Sequence, residues 1–114
     1  MTGWNKINLD KKLIAYIHYL KSELAINDQY ELDSIQIRVL NEILFSLAAG
    51  KAIRVGDILT HQEIASQATL HAALKKLVAR QLISYRMACD TRAKYLEITK
   101  LGYSRYKELA KAKI

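Results

Sequence analysis

The stretch that decides the fold is Leu82-Ile83-Ser84-Tyr85-Arg86-Met87-Ala88, Cys89-Asp90-Thr91-Arg92, Ala93-Lys94-Tyr95-Leu96-Glu97-Ile98-Thr99-Lys100-Leu101-Gly102. Two short β-prone runs flank a polar tip, the composition of a hairpin. The second run ends at Thr99-Lys100-Leu101-Gly102, where Thr99 can open a helix. Directly upstream, Ser66 is placed to cap a helix running through Arg80, rich in Ala, Leu and Lys. Leu70, Ala73, Leu74, Leu77 and Val78 give it a buried side. Its other face presents Gln67, Ala68, Thr69, His71, Ala72 and Lys75.

Working outward, Leu13, Ile17, Leu20 and Leu24 recur at steps of four, three and four, predicting a first helix over 10–24, broadened by Tyr16 and Tyr19. The polar run Asn27-Asp28-Gln29-Tyr30-Glu31 reads as a connector. Asp33 with Gln36 three residues later forms a capping-box pattern for a second helix. Ile37, Leu40, Ile43, Leu44 and Leu47 line its apolar side, and Gly50 ends it. Ala52-Ile53-Arg54 reads as a short strand, and Val55 to Gln62 as a short third helix with Asp57 in its first turn. A last helix starts near Lys100 and carries Leu101, Tyr106 and Leu109. The order helix, hairpin, helix defines a mainly α fold with a small β-hairpin wing, a winged helix-turn-helix, in one domain over 1–114.

Net charge is +7, and its distribution is informative. Residues 1–57 carry seven basic and seven acidic side chains, whereas 58–114 carry eleven basic and four acidic ones. All of the excess lies on the half that holds the hairpin, and such a field attracts polyanions, nucleic acid first among them. No apolar run approaches the about eighteen residues a membrane span needs, and the start Met1-Thr2-Gly3-Trp4-Asn5 lacks a secretory pattern. The expectation is a cytoplasmic protein without membrane contact. With Cys89 as the single cysteine, no internal disulfide forms. His18, His61 and His71 share no metal-ligand spacing with each other or with Cys89, so no metal and no cofactor are expected. No phosphate loop, nucleophile motif or paired carboxylates support an enzyme.

The stretch from Arg54 to Gly102 resembles the winged-helix core of the MarR family of bacterial transcription regulators. The resemblance rests on Val55-Gly56-Asp57-Ile58-Leu59, then Ser66 to Leu77 with its Leu74-Lys75-Lys76-Leu77 end, Leu82-Ile83, Asp90-Thr91-Arg92 and Ile98-Thr99-Lys100-Leu101-Gly102. It covers nearly half of the chain. Gln81 stands where the family often has glycine. The family also continues into a long C-terminal helical segment that builds its dimer, whereas this sequence stops at Ile114, so the dimer geometry is not carried over.

The resemblance implies a sequence-specific regulator of transcription, a repressor, that binds double-stranded DNA as a homodimer through its N- and C-terminal helices. A recognition helix over 66–80 enters the major groove and a wing over 83–98 the minor groove. Gln67, Thr69 and His71 are the candidates for base edges, since Gln can bond adenine bidentately. Ser66 stands at the helix start, and Lys75 is assigned to phosphate. Arg92 at the wing tip suits a narrow minor groove, with Asp90 orienting it or shaping the turn. Arg86 and Lys94 flank the wing as phosphate contacts. Cys89 is read as an inert thiol, and Trp4 and the tyrosines as packing residues. A small-molecule effector stays unidentified, because no residue marks its pocket. Two other readings remain open, a protein-interaction module and a nonspecific architectural DNA binder.

Overall fold

The computed structural model describes residues 9–87 and 93–113. Among these described residues, five helices and a hairpin follow in the order α1 (Lys11–Gln29), α2 (Ser34–Ala48), α3 (Val55–Leu59), α4 (Gln67–Ala79), β1 (Ile83–Met87), β2 (Lys94–Ile98) and α5 (Lys100–Ala112). The winged helix-turn-helix expected from the sequence is present.

Local capping explains most boundaries. Asp33 Oδ1 accepts from the Gln36 amide at 2.8 Å, and the Gln36 side chain accepts from the Asp33 amide at 3.1 Å, closing the expected capping box. Ser66 and Thr99 cap α4 and α5, each accepting from the amide three residues on. Gly102 is required by packing: a Cβ there would lie 2.3 Å from the Leu82 carbonyl oxygen and 2.7 Å from Ile98 Cγ2. The start of α5 therefore sits against the root of the hairpin as no larger residue would allow.

Three elements depart from the sequence reading. The first helix runs on into the polar connector as far as Gln29, and Asn27 turns inward and is buried as a hydrogen-bond partner of Arg105. The third helix stops at Leu59 rather than Gln62, where Thr60 Oγ1 donates to the Asp57 carbonyl and closes the turn. The strand expected at 52–54 is a single bridge, Arg54 to Tyr95, next to a Leu96 amide that donates to the Ile53 carbonyl at 2.8 Å. On α5 the buried positions are Gly102, Arg105 and Leu109, while Leu101 is 43% exposed.

The core gathers Val39, Leu40 and Ile43 of α2, Ile58 of α3, Leu70, Leu74 and Leu77 of α4, and Leu82, Ile83, Leu96 and Ile98 from the hairpin and its approach. It fixes α4 against the hairpin. α1 lies outside this core and packs on α5. Its seam is largely uncovered: Leu13 and Ile17 are half-buried, while Leu20 and Leu24 are exposed.

Candidate nucleic-acid interface

α4 is held from below by Leu70, Ala73, Leu74 and Leu77, and 3.6-residue periodicity then fixes what points outward. Gln67, Ala68, Thr69, His71, Ala72 and Lys75 are all exposed on the helix, as the sequence implies. Ser66 has a structural duty as well. Its Oγ accepts from the Thr69 amide at 3.3 Å and donates to Thr69 Oγ1 at 2.9 Å. Thr69 keeps its own hydroxyl proton free for another acceptor, so it is the better placed of the two to bond a ligand. Lys76 is also exposed and faces the crevice between α4 and the start of α2. It was not singled out from the sequence, although the Lys75-Lys76 pair signals it.

The hairpin pairs antiparallel in the register Ile83–Ile98, Tyr85–Leu96 and Met87–Lys94, alternating with Ser84–Glu97 and Arg86–Tyr95. Side chains alternate between faces. Ile83, Tyr85, Met87, Lys94, Leu96 and Ile98 share the face whose root enters the core, and Ser84, Arg86, Tyr95 and Glu97 share the outer one. Arg86 and Lys94, grouped together on sequence, therefore project to opposite sides of the wing. Each cation lies over a tyrosine. The Arg86 guanidinium carbon is 5.1 Å from the Tyr95 ring centroid, and Lys94 Nζ is 5.1 Å from that of Tyr85. Arg86 Nε also donates to Glu97 Oε1 at 2.7 Å. The tip, with Cys89, Asp90 and Arg92, lies outside the described residues.

Arg80 is basic yet does not serve this face. It turns back to the end of α1 and donates to the Tyr30 and Glu31 carbonyls at 3.1 and 2.6 Å and to Glu31 Oε2 at 3.2 Å. Near the turn after α3, His61 Nδ1 bonds Glu63 Oε2 at 2.8 Å, which holds the Glu63 carboxyl below the usual carboxylate range. Among the described residues no three His, Cys, Asp or Glu side chains converge as a metal site, and no helix is long and apolar enough to cross a membrane. An open groove of about 770 Å³ lies where the end of α4, β1 and the start of α5 meet, floored by Val78, Ile83 and Leu101.

A helix fixed beside a hairpin, with its polar side outward, defines the winged-helix class. The structure is similar to several solved transcription regulators. It aligns with the Staphylococcus aureus MepR–DNA complex at TM-score 0.68 and 19% identity, over 90% of this chain and 76% of that one. A transcriptional regulator of Thermotoga maritima gives TM-score 0.67 and 17% identity, over 90% and 68% of the two chains. YusO of Bacillus subtilis gives 0.62 and 15%, over 88% and 68%. These neighbours are MarR-type regulators, and the likeness is one of fold. No protein-family model and no curated protein matches the sequence.

Proposed function

We propose that this chain is a cytoplasmic, sequence-specific double-stranded DNA-binding regulator of transcription, acting as a repressor and as a homodimer. One observation carries the reading: α4 is fixed by the core so that Gln67, Thr69, His71 and Lys75 stand exposed together, beside a hairpin bearing Arg86 and Lys94. In this reading α4 enters the major groove, with Gln67, Thr69 and His71 near base edges and Lys75 on phosphate, while Ser66 holds the helix start. The wing reaches the neighbouring minor groove through Arg92, supported by Asp90, and Arg86 and Lys94 meet phosphates from its two sides. That MepR, which shares this fold, has been crystallised with DNA supports DNA binding. α1 and α5 supply the homodimer contact.

Ala68 and Ala72 shorten the base-reading face, which favours a share of shape readout over direct contacts. Selection from a random duplex library, followed by titration of the recovered site against a scrambled duplex at two salt concentrations, tests the proposal. A palindrome with half-sites about 10 base pairs apart or a multiple of that is the expected product. Gln67→Ala should then cost about 1–3 kcal/mol at one base pair and little elsewhere. Equal, salt-sensitive binding to every duplex would indicate an architectural protein, and no binding at low salt a protein-interaction module.

A further inference from the structure

The outer face of the wing holds a side-chain row that extends beyond the hairpin. Arg86 and Tyr95 stand directly opposite each other on β1 and β2, and Arg54 pairs with Tyr95 from the other side. Paired residues of antiparallel strands project to one face with Cβ atoms about 4.5–5.5 Å apart. Arg54, Tyr95 and Arg86 are therefore neighbours across three segments, a phenol between two guanidinium groups. Neither arginine is without a carboxylate. Arg86 Nε is 2.7 Å from Glu97 Oε1, and Arg54 Nε is 3.9 Å from Asp57 Oδ2, which also accepts from the Arg54 amide at 2.9 Å. All four charged side chains are about half exposed, between 48% and 57%.

We propose that this row is a phosphodiester-binding strip of the DNA interface, and that Glu97 and Asp57 are exchangeable place-holders for phosphate. The inference rests on the DNA-binding reading and deepens it. Exposed ion pairs of this kind orient their partners at little net energy, because water and salt compete for both ends. A phosphate presents the same pair of anionic oxygens to a guanidinium as a carboxylate does, so the exchange keeps the arginine geometry. The Tyr95 ring keeps Arg86 beside the strand, and its hydroxyl can donate to the same backbone. With both carboxylates in place the two pairs sum to zero charge. The strip then adds nothing to long-range attraction and engages only on close contact. Glu97 thereby sets an upper limit on affinity that the other cations of the half-chain do not feel. Lys94 projects to the opposite face of the wing and takes no part.

The experiment is a salt titration of duplex binding by wild type, Arg86→Gln, Glu97→Gln, the double variant and Arg54→Gln, on the selected site and on a scrambled duplex. These side chains are exposed, and thermal melts check that each variant is folded. Arg86→Gln and Arg54→Gln should each weaken binding to both duplexes and lower the slope of log affinity against log salt by about 0.9, the value for one phosphate contact. Glu97→Gln should tighten binding several-fold, and that gain should shrink when Arg86 is already Gln. An equal gain in both backgrounds would overturn the exchange, since Glu97 would then act as a negative charge alone. Unchanged slopes for both arginine variants, in a protein that still binds its site, would overturn the strip and leave the DNA-binding reading standing. Failure of the wild type to bind any duplex would overturn both.

Discussion

Gln81 adopts φ +63°, a left-handed conformation that side chains other than glycine, asparagine and aspartate rarely take. The bonds around it explain why. The Leu82 amide donates to the Leu77 carbonyl at 3.0 Å and the Gln81 amide to that of Val78 at 2.9 Å, which is the Schellman ending of a helix. Gly50 (φ +74°) ends α2 in the same way, and Glu31 (φ +57°) ends α1. Glycine at Gly50 was legible as a stop signal. Gln81 and Glu31 were not, because neither residue type announces the geometry; the substitution of Gln for the usual glycine was legible as a departure, and its backbone consequence is this strained turn. A left-handed non-glycine residue costs about 1 kcal/mol. Gln81→Gly is therefore expected to stabilise the protein by roughly that amount and to raise Tm by about 4 °C. Paired melts of the two proteins check it, and a lower Tm for the variant would mean that the Gln81 side chain contributes more than the turn costs. Arg105 was likewise illegible at this scale. In a helix written Lys-Leu-Gly-Tyr-Ser-Arg-Tyr-Lys-Glu-Leu an arginine reads as surface, yet it is 1% exposed, its Nε and Nη2 both donating to Asn27 Oδ1.

At the scale of elements, that buried arginine is part of the joint that fastens α5 to α1 and α2. Tyr106 follows it, donates its hydroxyl to Asn41 Oδ1 at 2.7 Å, and lies with its ring 5.0 Å from the Arg105 guanidinium. Tyr30 at the end of α1 donates to Glu108 Oε2 at 2.9 Å. The sequence placed apolar periodicity in α2 and α4 correctly because their partners are apolar as well. It missed this joint because polar residues that bond one another leave no periodic trace, and Arg105 is held there through Nε and Nη2 while its buried Nη1 makes no hydrogen bond among the described residues. Burial pushes the Tyr106 hydroxyl up to about 12, against the ordinary value of 10.0. The sign follows from linkage: the folded state holds its proton more tightly than the unfolded chain, so the contribution is complete below pH 10 and is lost as pH rises through 12. Tyr19 and Tyr30 are raised too, by burial and by their neighbouring carboxylates, and act in the same direction. In denaturant titrations from pH 8 upward, Tyr106→Phe should be less stable than wild type by about 1 kcal/mol at neutral pH, for the lost hydrogen bond. The gap should close, or reverse, in strong alkali. A gap independent of pH would show that the hydroxyl is not buried as described.

For the whole molecule the decisive quantity is shape. The radius of gyration is 17.5 Å and the extents are 67 × 28 × 25 Å, whereas a compact chain of this length would give about 13 Å. α1 lies outside the core and leaves Ile14, Tyr16, Leu20 and Leu24 exposed. Here the sequence was legible only by half. The seam at steps of four, three and four marked a helix with an apolar side, but periodicity says that a face is to be covered and not by which chain. Four exposed large apolar side chains on one helix are more than scattered exposed residues require. In a symmetric dimer the same face meets itself or the neighbouring α5, and a stable contact needs about 1,000 Å² or more in total. Sedimentation of the wild type at micromolar concentration should therefore give a dimer, and Ile14→Glu with Leu20→Glu a folded monomer. Both substitutions lie far from α4, so the monomer keeps its reading surface and should still bind one half-site. It should lose the large gain that comes from tethering two half-sites on one palindrome. A variant that stays dimeric would place the contact elsewhere, on α5. A monomer that binds the full palindrome as tightly as wild type would remove the dimer from recognition altogether, and the operator would then have to be read by one recognition helix and one wing.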